Sequence, residues 1–141
     1  VLRNNVPVTA PPGRLARLRT YLTSNVAETK EDHRFPELRT RSFDGSATEL
    51  RARVAQAMKS LDWNVSNGGD PMTLRAVIKT PLLGFSDDLT ATVESAGDSR
   101  SKLVVRSSSR VGRGDLGANA GHILRLYEAV GQAIDAGPRD D

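Results

Sequence analysis

The residues best suited to chemistry lie together in Arg106-Ser-Ser-Ser-Arg110-Val-Gly112-Arg113-Gly114-Asp115-Leu-Gly117-Ala-Asn119, which sits between a strand pattern and a helix pattern. The arginines can hold an anion. Gly112, Gly114 and Gly117 permit tight or left-handed backbone just before the helix. Asp115 is placed to cap that helix and to complement the positive end of its dipole. A helix N-terminus beside Arg110 and Arg113 is a natural place for a phosphate or carboxylate. The competing reading is a structural elbow in which Asp115 and Asn119 pin the strand-to-helix turn. The spacing is neither a P-loop nor a dinucleotide fingerprint.

Catalytic readings are weaker. Ser107 to Ser109 lack a nearby histidine in the sequence, so Ser108 would need a base that only Asp88 or a distant residue could supply. Asp87 and Asp88 are strand neighbours that point to opposite faces, so they cannot flank one bond as paired carboxylates. No catalytic residue is assigned. With no cysteine and only two histidines far apart, His33 and His122, neither a metal centre nor a cofactor is expected. Arg113-Gly114-Asp115 spells a cell-adhesion tripeptide, which at a helix entry is read as coincidence.

The elements that must position these residues follow from periodicity. Leu38 to Phe43 is expected as a first strand before the turn signal Asp44-Gly45. Ser46 with Glu49 forms a capping box, and Leu50, Val54, Ala57 or Met58, and Leu61 recur at helical spacing behind it. Trp63 to Ser66 is a short strand ending in the turn Asn67 to Pro71. Met72 to Thr80 alternates as a half-buried strand, Asp88 to Ser95 is another, and Lys102 to Arg110 returns after a turn near Gly97 and Asp98. A last helix runs from about Asp115 to Ala136, with Leu116, Ala120, Ile123, Tyr127, Val130 and Ile134 spaced by four and three, and Gly137-Pro138 ends it.

The result is an α+β fold: an antiparallel sheet of about five strands with two helices packed on one face. Its order is strand, helix, four strands, helix. This resembles the topology of TATA-binding-protein-like folds, an analogy that carries no function with it. The uncovered face should present Arg75, Lys79, Asp88, Thr90, Thr92, Glu94, Lys102, Arg106, Ser108 and Arg110. A turn at Gly97 and Asp98 sets Asp88 opposite Ser108, with Arg106 and Arg110 on the diagonals in an ion network. Asp87, facing the other way, is a candidate partner for Ser107 or Ser109.

Ahead of this domain, expected over residues 35–137 with a tail at 138–141, lies an N-terminal arm and connector over 1–34. Pro7, Pro11 and Pro12 make its first part extended. Arg14 to Leu22 suits a short helix with Leu15, Leu18 and Leu22 on one side, read as packing on its own domain in preference to a membrane. Ala27 to Arg34 is expected to be a solvated connector. The apolar loop Pro81 to Phe85 is read as core, with Leu82, Leu83 and Phe85 kept as a weaker membrane or partner contact.

The chain has 141 residues, room for one domain with a real core. Its net charge of +3 is mixed more than basic, and three Phe, two Tyr and one Trp are too few for base-stacking platforms, so no nucleic-acid partner is expected. No apolar run approaches the roughly 20 residues of a membrane span. A soluble, cytoplasmic protein is expected.

Two motifs carry a family resemblance. Leu83-Gly84-Phe85-Ser86-Asp87-Asp88 and the run from Arg106 to Asn119, with Phe35-Pro36-Glu37-Leu38 upstream, resemble the hallmarks of the domain of unknown function 1499 (DUF1499) family over roughly residues 33 to 136. Where members often have an arginine after the asparagine's turn, this chain has Gly121-His122, and Gly114 stands where a serine is common. The resemblance implies no activity; it implies small bacterial or plastid proteins, some with membrane anchors.

Residues and resemblance together give the functional expectation: a non-enzymatic binding or scaffold module, contacting a small anionic ligand or a protein partner through Asp88, Arg106, Ser108, Arg110, Arg113, Asp115 and Asn119. The alternatives are an enzyme acting on a phosphorylated or carboxylated small molecule, and a peripheral membrane protein.

Overall fold

Strand alternation sorts the side chains onto two faces in the computed structural model, which describes residues 26–79, 84–110 and 118–138. The elements, in chain order, are β1 (Val26–Glu28), a 3-10 turn (Pro36–Leu38), β2 (Arg41–Asp44), α1 (Ala47–Ser60), β3 (Asn64–Asn67), β4 (Thr73–Lys79), β5 (Ser86–Ser95), β6 (Arg100–Ser109) and α2 (Ala118–Ala136). They form the expected α+β architecture, an antiparallel sheet with two helices, although the sheet has six strands. The order is β1-β6-β5-β4-β3, and β2 also pairs with β6.

The inner face explains the helices. Leu74, Ala76 and Ile78 of β4, Leu89, Ala91 and Val93 of β5, and Leu103 and Val105 of β6 are buried with Leu50, Val54, Ala57 and Met58 of α1. From α2 they meet Ala120, Ile123, Leu126, Tyr127 and Val130, one stripe at helical spacing. Ser46 starts α1 by accepting a hydrogen bond from the Glu49 amide at 3.1 Å. In the β5–β6 turn, Gly97 takes a φ of 122°, which an L side chain rarely adopts.

Two expectations at the start of the domain need correction. Leu38 is buried, but as the end of the 3-10 turn that Phe35 and Pro36 begin, so the first predicted strand starts only at Arg41. Nor is Ala27 to Arg34 all solvated connector, because Val26, Ala27 and Glu28 pair with Ser108, Ser107 and Arg106. The cause is β6 itself. Its outer edge is covered by β2 only from Arg100 to Leu103, and the remaining backbone groups need partners. Between the two short strands, buried Thr29 bridges the gap: the Val105 amide donates to its Oγ1 at 2.9 Å, and its own amide donates to the Val105 carbonyl at 2.8 Å.

Candidate functional site

The sheet's open face carries the charges that alternation assigns to it. Val77, Asp88, Ser108 and Val26 stand in one cross-strand row, and Arg75, Thr90, Arg106 and Glu28 in the next. Asp88 therefore lies opposite Ser108, as the turn position requires. Arg110, just past the end of β6, grips Asp88 with two parallel bonds, Nε to Oδ2 and Nη2 to Oδ1, both 2.9 Å. Those bonds hold the Asp88 carboxyl below the usual carboxylate range against the opposing effect of burial, with help from the charges of Arg110 and, less, Arg75. Arg106, in the next cross-strand row, is exposed, and no carboxylate lies within ion-pair distance of it among the described residues. The expected network of Asp88 with two arginines is thus a pair with one.

Beneath the sheet, at the ends of β5 and β6 nearest the start of α2, lies a buried polar cluster. Ser107 Oγ donates to Asn119 Oδ1 at 2.6 Å, and Asn119 Nδ2 donates to Ser109 Oγ at 2.9 Å. Asp87, 1% exposed, meets His122 Nε2 at 2.8 Å, and the imidazole stands edge-on to Trp63 with ring centroids 6.2 Å apart. His122 Nδ1 is buried without a hydrogen-bond partner.

Several expected placements change. Asp87 does face inward, but it pairs with His122 and not with Ser107 or Ser109, which go to Asn119. The serines do have a histidine at their end of the sheet, brought there by α2 and not by sequence proximity. Asn119 belongs to this buried layer and so cannot share a ligand with Arg106, Ser108 and Arg110 on the opposite face. Arg113, Asp115, Leu82 and Leu83 lie outside the described residues, and so does the helix expected at Arg14 to Leu22. Phe85 is 40% exposed.

The arrangement bears on chemistry. A carboxyl held low by a bidentate guanidinium is a poor proton donor near neutral pH, which counts against Asp88 as an acid. Among the described residues no group of three His, Asp or Glu could hold a metal ion, and no helix is long and apolar enough to cross a membrane. Sequence reasoning missed His122 as a member of the buried cluster. The signal was present: His122 follows Asn119 by three residues, which puts both on one side of a helix.

Compared with known proteins, residues 12–130 match the model of a family described as a protein of unknown function (DUF1499). No curated protein matches the chain.

Proposed function

The chain belongs to the DUF1499 family, and from that premise we propose that it is a non-enzymatic binding module whose open sheet face takes an anionic group of a small ligand or protein partner. One observation carries the reading: Arg75 and Arg106, both exposed, flank Thr90 in a single cross-strand row. Their strands are two apart, about 10 Å, so two long side chains can converge on one anion above Thr90. At the end of that row Glu28 is paired with Lys30 at 3.5 Å, and in the neighbouring row Asp88 is taken by Arg110. The nearest acids are therefore already matched, and the arginine charge is left for a visitor. Guanidinium forks suit carboxylate and phosphate oxygens. Of the residues expected to bind, Arg106 and Ser108 keep that role, Asp88 and Arg110 form its rim, and Arg75 and Thr90 join them.

The test is amide NMR of the wild type titrated with inorganic phosphate and, separately, with a glutamate-rich peptide. Saturable shifts at Arg75, Thr90 and Arg106 are expected with at least one probe. The double variant Arg75→Glu/Arg106→Glu should melt with the wild type and bind at least roughly tenfold more weakly, the effect of losing a charge-assisted hydrogen bond. Unchanged binding by the double variant, or no shift on this face with either probe, rejects the reading.

A further inference from the structure

A second unmatched charge lies on the helix side of the sheet. Arg41 begins β2 and shares its inward face with Phe43 two residues later. Its guanidinium carbon stands 4.1 Å from the centroid of the Tyr127 ring, a cation–π stack on the buried side of α2. Tyr127 offers no counter-charge, because burial above all pushes its phenol up to about 12, and its hydroxyl donates to the Arg39 carbonyl at 3.0 Å. The Arg41 side chain makes no hydrogen bond or ion pair among the described residues. Its Nε is sealed from solvent without a partner, whereas the two terminal nitrogens keep contact with solvent.

The nearby acids are committed elsewhere. Glu31 accepts from Lys102 Nζ at 2.8 Å, and Asp44 pairs with Arg100 at 3.2 Å. The sequence before Val26 contains no aspartate or glutamate, so that part of the chain cannot neutralise Arg41 either. A guanidinium stays charged even where burial lowers its proton affinity, as it does here. Half-burying such a charge with its Nε–H unmatched is costly, and an oxyanion at the solvent-facing terminal nitrogens would offset the charge. Methionine at this position would keep an apolar stem and a sulfur contact against the Tyr127 ring without the charge.

We infer that Arg41, held against Tyr127 where β1, β2 and α2 meet, is an oxyanion-binding site that receives a phosphate or carboxylate end-on through Nη1 and Nη2. This site is separate from the open-face site, which lies on the other side of the sheet.

The sealed Nε–H gives a direct reporter. In wild-type protein, the Arg41 Nε–H cross-peak is followed during titration with inorganic phosphate and with acetate, beside melting curves under the same conditions. A saturable shift and a rise in Tm of a few degrees are expected with at least one anion, phosphate alone marking a phosphoryl ligand and acetate alone a carboxylate. Arg41→Met should melt at or above the wild type without anion and lose the anion-dependent rise. Arg75→Glu/Arg106→Glu should keep it, which separates this site from the open face. If the Nε signal shows no saturable shift with either anion, or if Arg41→Met loses stability while the wild type gains none from anions, Arg41 is a structural prop and the inference is wrong.

Discussion

Replacing Asn119 by alanine tests whether this residue locks the fold or serves a ligand. Ser107, 0% exposed, donates its hydroxyl to Asn119 Oδ1, and Asn119 Nδ2 reaches the partly exposed Ser109. Truncation strands the Ser107 hydroxyl where water cannot replace the lost acceptor, at about 1–3 kcal/mol, while Ser109 can turn to solvent at about 0.5–1 kcal/mol. The sum, roughly 1.5–4 kcal/mol, corresponds to a fall in Tm of roughly 5–12 °C for a domain of this size. Urea unfolding followed by Trp63 fluorescence, together with Ser107→Ala and the double variant, measures it. Because Ser107→Ala removes the stranded hydroxyl, the double variant should lose less than the two single losses added, by about 1 kcal/mol or more. A loss below about 1 kcal/mol for Asn119→Ala, or strict additivity, refutes the lock. Unchanged or higher stability would instead fit a side chain held for binding.

Three further outcomes follow from single residues. Tyr127 has its phenol raised to about 12 from an ordinary 10.0, so the stability it contributes is complete below pH 10 and is lost as pH rises through 12; a tyrosinate titration of Tyr21→Phe, where Tyr127 is the remaining phenol, should show one late ionisation coinciding with unfolding. Asp88 titrates below its ordinary 3.8, so its contribution is present above that value and disappears as pH falls through the lower folded one; Asp88→Asn should remove a small part of the acid sensitivity in denaturant melts from about pH 5 downward, small because the pair with Arg110 is exposed. Gly121 lies within α2 with open space where a Cβ would stand, so Gly121→Ala should stabilise by about 0.5–1 kcal/mol in urea melts, and a loss would mean that this turn of α2 is not free to take a side chain.

Local pattern was enough wherever the physics is local. A period of two assigned each residue of β4, β5 and β6 to a face, and the turn at Gly97 and Asp98 by its position alone set Asp88 opposite Ser108. Ser46 with Glu49 announced α1, and the apolar spacing announced the buried stripes of both helices. Half of the candidate site was legible in this way, since Asp88, Arg106, Ser108 and Arg110 share the open end of one sheet face. What alternation cannot supply is the partner across a gap. Asp87 could be sent inward, but that it meets His122 there depends on how α2 lies along the sheet. The same packing makes Asn119 the acceptor for Ser107 and sets Tyr127 against Arg41. Likewise, Val26–Glu28 becomes a strand only because β6 has an edge that β2 leaves uncovered. Sequence determined which way each side chain points, because direction follows from the residue's own backbone. Tertiary structure decided what it touches, because contact depends on the register of elements that only the shared core brings together.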